Sequence, residues 1–266
     1  MEEKIIAAIF GAILGSFLNA VVYRVPRRLS LWEPKRSFCT TCSKSLTWIE
    51  NIPIFSFLIQ RGRCSCGKDK IPIRYLIIEL FAAAAGYFTV DVFGITPTGG
   101  VVFALLLALI AISFIDFDHK IIPDRISYPG MTLGLVLGIV SQYSELFRCR
   151  PFQHLCPVTQ GAVDSLLGFI VGGGFFWLVG WGYFVATKKD GLGFGDVKLM
   201  AMTGAILGIH SIAPTVILGS LSGAVVGLAM MVITGGGRNT EIPFGPWLSL
   251  GAILYIFFNP AFFRLF

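Results

Sequence analysis

Charge is what this chain of 266 residues has least of: Asp, Glu, Lys and Arg together make up 14% of it, against roughly a quarter in soluble domains. With 55% hydrophobic residues and a mean hydropathy of +0.77, that scarcity excludes an ordinary water-soluble fold. Long polar stretches are scarce too. Residues 24–74 form the only one, which is too short to hold a large core of its own. The first apolar run lacks the small-residue cleavage site of a secretory signal. It opens on Glu2 and Glu3, closes on Tyr23-Arg24-Val25-Pro26-Arg27-Arg28, and is expected to be a retained helix. The glycine-dense stretch 187–195 lacks the Lys that would follow in a phosphate-cradling loop, and Asp196 stands there instead. No inverted repeat of the kind many transporters carry is visible.

What the chain does have is apolar runs. A membrane-spanning helix needs about 17–25 apolar residues, and candidates fall at about 4–23, 75–93, 99–117, 126–143, 161–186, 196–209, 212–234 and 245–263, the sixth being short. The expected fold is all-α and polytopic, with about eight transmembrane helices and a small cytoplasmic cysteine-rich domain between the first and second. This divides the chain into a first helix at 1–23, the Cys-rich segment at 24–74 and a membrane core at 75–266. With the N-terminus outside, all of the 21 Lys and Arg fall inside except Lys4, Arg148, Arg150 and Arg264, the asymmetry of the positive-inside rule. The net charge of +6 is thus accounted for by topology and anionic lipid, and implies no nucleic-acid partner.

Six cysteines form two groups. Cys39-Thr40-Thr41-Cys42 and Cys64-Ser65-Cys66 flank about 20 residues, close to four-thiolate zinc-ribbon spacing, and a segment this small usually needs a staple. On the cytoplasmic side thiols stay reduced, so a structural zinc is expected at Cys39, Cys42, Cys64 and Cys66, the alternative being unliganded thiols. Cys149 and Cys156 lie in the expected outer loop 144–160, where a disulfide is expected, with a metal at the intervening His154 as the alternative.

Four acids crowd the expected inner face: Asp116, Asp118, Asp124 and Asp196. Asp124, after Pro123 and before an apolar run, reads as a helix N-cap, and Asp118 beside His119 and Lys120 as a solvated loop acid. Asp196 reads equally as an N-cap or as a functional group. Asp116 ends the run Ala111-Ile112-Ser113-Phe114-Ile115 with only Lys120 at helical spacing to offset it. A charge at the edge of hydrocarbon is expensive, so Asp116 and Asp196 are the candidate site. Two carboxylates close enough to share one proton serve as acid and base, and a water between them can attack an amide carbonyl.

Gly193-Phe194-Gly195-Asp196 has the Gly-x-Gly-Asp form of polytopic membrane aspartyl proteases. Together with Gly15-Ser16-Phe17-Leu18-Asn19, Tyr23-Arg24-Val25-Pro26-Arg27, the paired cysteines, Ile52-Pro53-Ile54-Phe55-Ser56, Ile71-Pro72-Ile73-Arg74-Tyr75, Ile115-Asp116-Phe117-Asp118 with Ile122-Pro123-Asp124, and Ile242-Pro243-Phe244-Gly245-Pro246, the chain resembles bacterial type IV prepilin peptidases over nearly its whole length. The resemblance implies an aspartyl endopeptidase of the bacterial inner membrane. Asp116 and Asp196 would be catalytic and face the cytoplasm, with zinc on the four cysteines. The substrates implied are prepilins or type II secretion pseudopilins, cleaved after a glycine and then N-methylated with S-adenosylmethionine. Cys64-Ser65-Cys66 is one residue shorter than the family's usual pair, and no glycine-rich S-adenosylmethionine fingerprint is visible. The alternative from another class is a proton- or cation-coupled transporter using the same aspartates.

Overall fold

The structure is a computed structural model that describes residues 1–31, 33, 47, 50, 52–64, 71–143, 158, 161–188, 193–234 and 243–262. The helices among them are α1 (Glu2–Arg24), α2 (Phe55–Ile59), α3 (Ile73–Phe93), α4 (Pro97–His119), α5 (Asp124–Tyr143), α6 (Ala162–Thr187), α7 (Phe194–Leu207), α8 (Ile212–Thr234) and α9 (Gly245–Phe262). Each of the eight apolar runs falls on one of these helices, and α2 is the addition, a short turn of helix inside the polar segment.

Among the described residues, five helices can cross a membrane by length and composition: α1, α3, α4, α6 and the stretch Ile209–Ile233 that contains α8. The chain is therefore a multi-pass membrane protein, with fewer clear spans than the eight runs suggested. α5 opens on Asp124, Arg125 and Ser127, which dilutes its apolar content. α7 has 14 residues, about 21 Å at 1.5 Å per residue against about 30 Å of hydrocarbon. Every residue from Leu199 to Leu207 is buried, so α7 is apolar all round because protein surrounds it.

Two compact units divide the chain, Met1–Ala111 and Ile112–Phe266. In the first, α1 and α3 meet along a seam of small residues, Gly11 and Gly15 against Ala82, with Gly86 against Ala7. A Cβ on Gly15 would lie 2.8 Å from the Glu79 Cα and 2.9 Å from the Ala82 Cβ. Lipid tails are as apolar as leucine, so close packing of this kind, with hydrogen bonds, holds helices together in a bilayer. Asn19 Nδ2 donates to the Tyr75 carbonyl at 3.2 Å and to Glu79 Oε1 at 3.5 Å. Glu79 Oε2 accepts the Ile54 N–H at 2.8 Å. Ile54 has φ +64, a conformation that a β-branched residue adopts only under constraint. The buried Glu79 thus fixes the turn leading into α2 against the α1–α3 pair, an intramembrane acid that the sequence reading overlooked.

The second unit wraps α5 and α6 around α7. The Ser165 hydroxyl on α6 reaches the carbonyls of Gly134 on α5 at 3.0 Å and Ala205 on α7 at 2.8 Å. Gly168 and Gly204 bring the α6 and α7 backbones into direct contact. α7 ends at Gly208, whose φ of +78 suits glycine. Asp164 Oδ1 then accepts the Ile209 N–H at 2.9 Å, capping the short 3-10 turn Ile209–Ser211 that leads into α8. α8 packs on α9 through Gly219 and Gly251, where a Cβ on Gly219 would lie 2.8 Å from the Trp247 carbonyl oxygen. This framework holds the first turn of α7 in place.

Candidate active site

The last turns of α4 carry Asp116 and the first turn of α7 carries Asp196. Asp116 lies on the inward face of α4, near Ile112 and Ile115, which are both fully buried. Asp116 is 6% exposed and Asp196 8%, whereas Asp118 and Asp124 are exposed. Two of the four acids are therefore withdrawn from water, the two that were singled out from the sequence.

Asp116 has a fixed orientation. Its Oδ2 accepts the backbone N–H of Gly245 at 3.0 Å, and Gly245 is the first residue of α9. That amide has no partner within its own helix, and the positive end of the helix dipole favours a carboxylate there. A Cβ on Gly245 would lie 2.7 Å from Asp116 Oδ2, so the approach requires a residue without a side chain.

Asp196 is the third residue of α7, and the N-cap is Gly193, which makes no side-chain cap. The Asp196 N–H donates to the Gly193 carbonyl at 3.0 Å. Of the two readings offered by the sequence, the N-cap is thus excluded by position. Burial and the nearby Asp116 charge push the Asp196 carboxyl up to about 7. No cation offsets either carboxylate among the described residues.

Ile122 connects the two positions. It is 7% exposed and lies in the short link between α4 and α5. A Cβ on Gly195 would lie 3.1–3.3 Å from the Ile122 Cβ, Cγ1 and Cδ1, and a Cβ on Gly245 would lie 3.3 Å from its Cδ1. Gly195 precedes Asp196, and Gly245 holds Asp116. One side chain therefore touches both halves of the site, and all five residues belong to the unit Ile112–Phe266.

Asp124 differs from its expected cap role. It is the first helical residue of α5, and its carboxylate pairs with the Lys198 ammonium, which lies 5.6 Å from the Tyr128 ring centroid and 5.2 Å from that of Phe194. Sequence reasoning missed Gly245 and Ile122 as parts of the site. Gly245-Pro246 before an apolar run signals a helix start, but not which carboxylate its amide would meet.

Of the expected zinc ligands, Cys64 is described and buried, while Cys39, Cys42 and Cys66 lie outside the described residues, as do Cys149, His154 and Cys156. Among the described residues, no group of three or more His, Cys, Asp or Glu is placed to hold a metal ion.

The chemistry open to the Asp116–Asp196 pair is shared-proton catalysis. Two nearby carboxylates in a poorly hydrated site resist double ionisation, which keeps one as an acid and the other as a base.

Compared with known proteins, residues 9–93 match the Bacterial Peptidase A24 N-terminal domain and residues 103–228 match the Type IV leader peptidase family. The chain is similar to the prepilin leader peptidase/N-methyltransferase of Pseudomonas putida, 32% identical over 266 residues that take in 92% of this chain and 87% of the relative. It is also similar to the proteins of that name from Pseudomonas aeruginosa, 33% identical with 91% and 86% covered, and from Xanthomonas campestris, 33% identical with 95% and 90% covered. No solved structure matches the chain.

Proposed function

The chain belongs to the type IV leader peptidase family, and on that premise we propose that it cleaves the basic leader from prepilins or pseudopilins and then N-methylates the exposed terminus. The observation that carries the peptidase half is the buried pair Asp116 and Asp196, whose neighbours Gly245 and Gly195 meet one Ile122 side chain and in which the Asp116 charge acts on Asp196. The distribution of Lys and Arg supports a site facing the cytoplasm from the bacterial inner membrane.

In the proposed reaction the pair starts with one proton. The ionised carboxylate takes a proton from water as the water oxygen bonds to the scissile carbonyl carbon, and the protonated carboxyl gives its proton to the carbonyl oxygen. The resulting diol collapses with breakage of the C–N bond. The leaving amine receives the proton taken from water, and a diol hydroxyl returns its proton to the other aspartate. The apolar helix behind the leader lies in the bilayer beside the enzyme, which leaves the scissile bond near the membrane surface. Transport through the same acids finds no support, since the relatives are named as peptidases and the acids stand at the ends of α4 and α7.

Methyl transfer rests on the names of the relatives. S-adenosylmethionine supplies the methyl group, and no residue of this chain is assigned to it. The test uses the purified protein in detergent with a prepilin that has a basic leader, a Gly-Phe junction and an apolar helix. Mass spectrometry is expected to find cleavage after the glycine and, with S-adenosylmethionine, one methyl group on the new terminus. An intact substrate would remove the peptidase assignment, and a cleaved but unmethylated product would remove the transferase half.

The segment 24–74 is read as a cytoplasmic domain stapled by zinc on Cys39, Cys42, Cys64 and Cys66. Support comes from their spacing, the reducing compartment and the burial of Cys64. Elemental analysis is expected to find about one zinc per chain, lost in Cys39→Ser/Cys42→Ser. Equal metal in both proteins refutes the site.

A further inference from the structure

Gly195 and Gly245 both lack the positive φ that would call for glycine on backbone grounds, since among the described residues that conformation belongs to Gly62, Gly94 and Gly208. Their missing side chains are therefore a matter of space. At Gly195 the space is occupied by Ile122, with Cβ, Cγ1 and Cδ1 all within 3.1–3.3 Å of where a Cβ would stand. At Gly245 it is occupied by the Asp116 carboxylate at 2.7 Å and by the Ile122 Cδ1 at 3.3 Å. Ile122 is itself buried, and its side chain stands against both glycines, one preceding Asp196 and the other holding Asp116 through its N–H.

We propose that Ile122 is a positioning residue for the peptidase reaction, a spacer between Gly195 and Gly245 that sets the separation of the Asp196 and Asp116 carboxylates. This deepens the aspartyl-dyad reading and rests on it. Removing the side chain frees the first turn of α7 to move relative to the start of α9. A methyl at Gly195 would stand 3.1–3.3 Å from Ile122, so that side chain or the turn has to give by a few tenths of an ångström. A displacement near 1 Å at such a site costs about 100-fold in rate.

A double-mutant cycle on the full-length protein, with the Gly-Phe prepilin as substrate, tests the spacer. Ile122→Ala alone is expected to lower kcat about tenfold, with KM unchanged within about twofold, and Gly195→Ala to lower kcat about 100-fold. In the double variant the alanine methyl meets fewer side-chain atoms, and kcat is expected to recover about tenfold over Gly195→Ala. Ile122→Ala is not expected to rescue Gly245→Ala, whose clash is with Asp116. Ile122→Val, which takes away only Cδ1, gives the same order at smaller amplitude and covers the case in which the alanine variant does not fold. Additive losses in Ile122→Ala and Gly195→Ala, or equal rescue of Gly195→Ala and Gly245→Ala, would overturn the spacer. Normal cleavage by Asp116→Asn and Asp196→Asn would instead overturn the dyad beneath it, so the two failures are distinct.

Discussion

Asp116→Asn and Asp196→Asn each lower prepilin cleavage by about 10²–10⁴-fold, the usual loss when a positioned acid or base is removed. The asparagines match the aspartates in size, and at position 116 the side-chain oxygen can still accept the Gly245 N–H seen at 3.0 Å. The loss therefore reports proton transfer and not collapse of the site. Combining the two substitutions should cost little more than either alone, because residues that act as one unit do not add. The pH profile of the wild type carries the same information. The reaction needs one proton on the pair, and the Asp196 carboxyl lies at about 7, so kcat/KM falls as pH rises through that region and the proton is lost. At the acid end it falls again as the second carboxylate is protonated. These limbs belong to the pair as macroscopic values. Full cleavage by either asparagine variant, or a flat profile from pH 6 to 9, would exclude this acid–base assignment.

Gly245→Ala lowers kcat about 100-fold with KM little changed. The added methyl would sit 2.7 Å from Asp116 Oδ2 and 3.2 Å from its Cγ, closer than van der Waals contact allows, so either the carboxylate or the start of α9 has to move. Both outcomes separate Asp116 from the amide that orients it. Gly251→Ala is the matched control, because a methyl there would strike the Thr215 carbonyl on α8 and damage α8–α9 packing away from the carboxylates. It is expected to lower the midpoint of thermal unfolding in detergent more than Gly245→Ala does, and to reduce activity only in proportion to unfolded protein. Steady-state kinetics beside unfolding curves for both variants checks the contrast. A Gly245→Ala enzyme with wild-type kcat would show that Asp116 needs no orienting amide.

Much of the architecture was legible in the chain. Each apolar run became a helix because a segment that must satisfy its own backbone in hydrocarbon has few other options. Counting spans from those runs was less secure. α7 is apolar all round because its neighbours cover it, and the same composition describes a short core helix or a membrane span. The clamp of Glu79 on Ile54 was not legible, since a single acid within an apolar run carries no mark of the strained turn it will hold.

Composition and patterning by themselves determined that the chain enters a membrane and that Asp116 and Asp196 were the acids to examine. Desolvating an isolated charge is costly, so its presence in an apolar run is already informative. Only the tertiary structure decided that Asp116 meets the Gly245 amide 129 residues away, that Gly193 and not Asp196 caps α7 and that Ile122 stands against both halves of the site. Those relations depend on which helix end faces which, at tolerances of a few tenths of an ångström. Helix propensity and hydropathy act along the chain and contain no information about such distances.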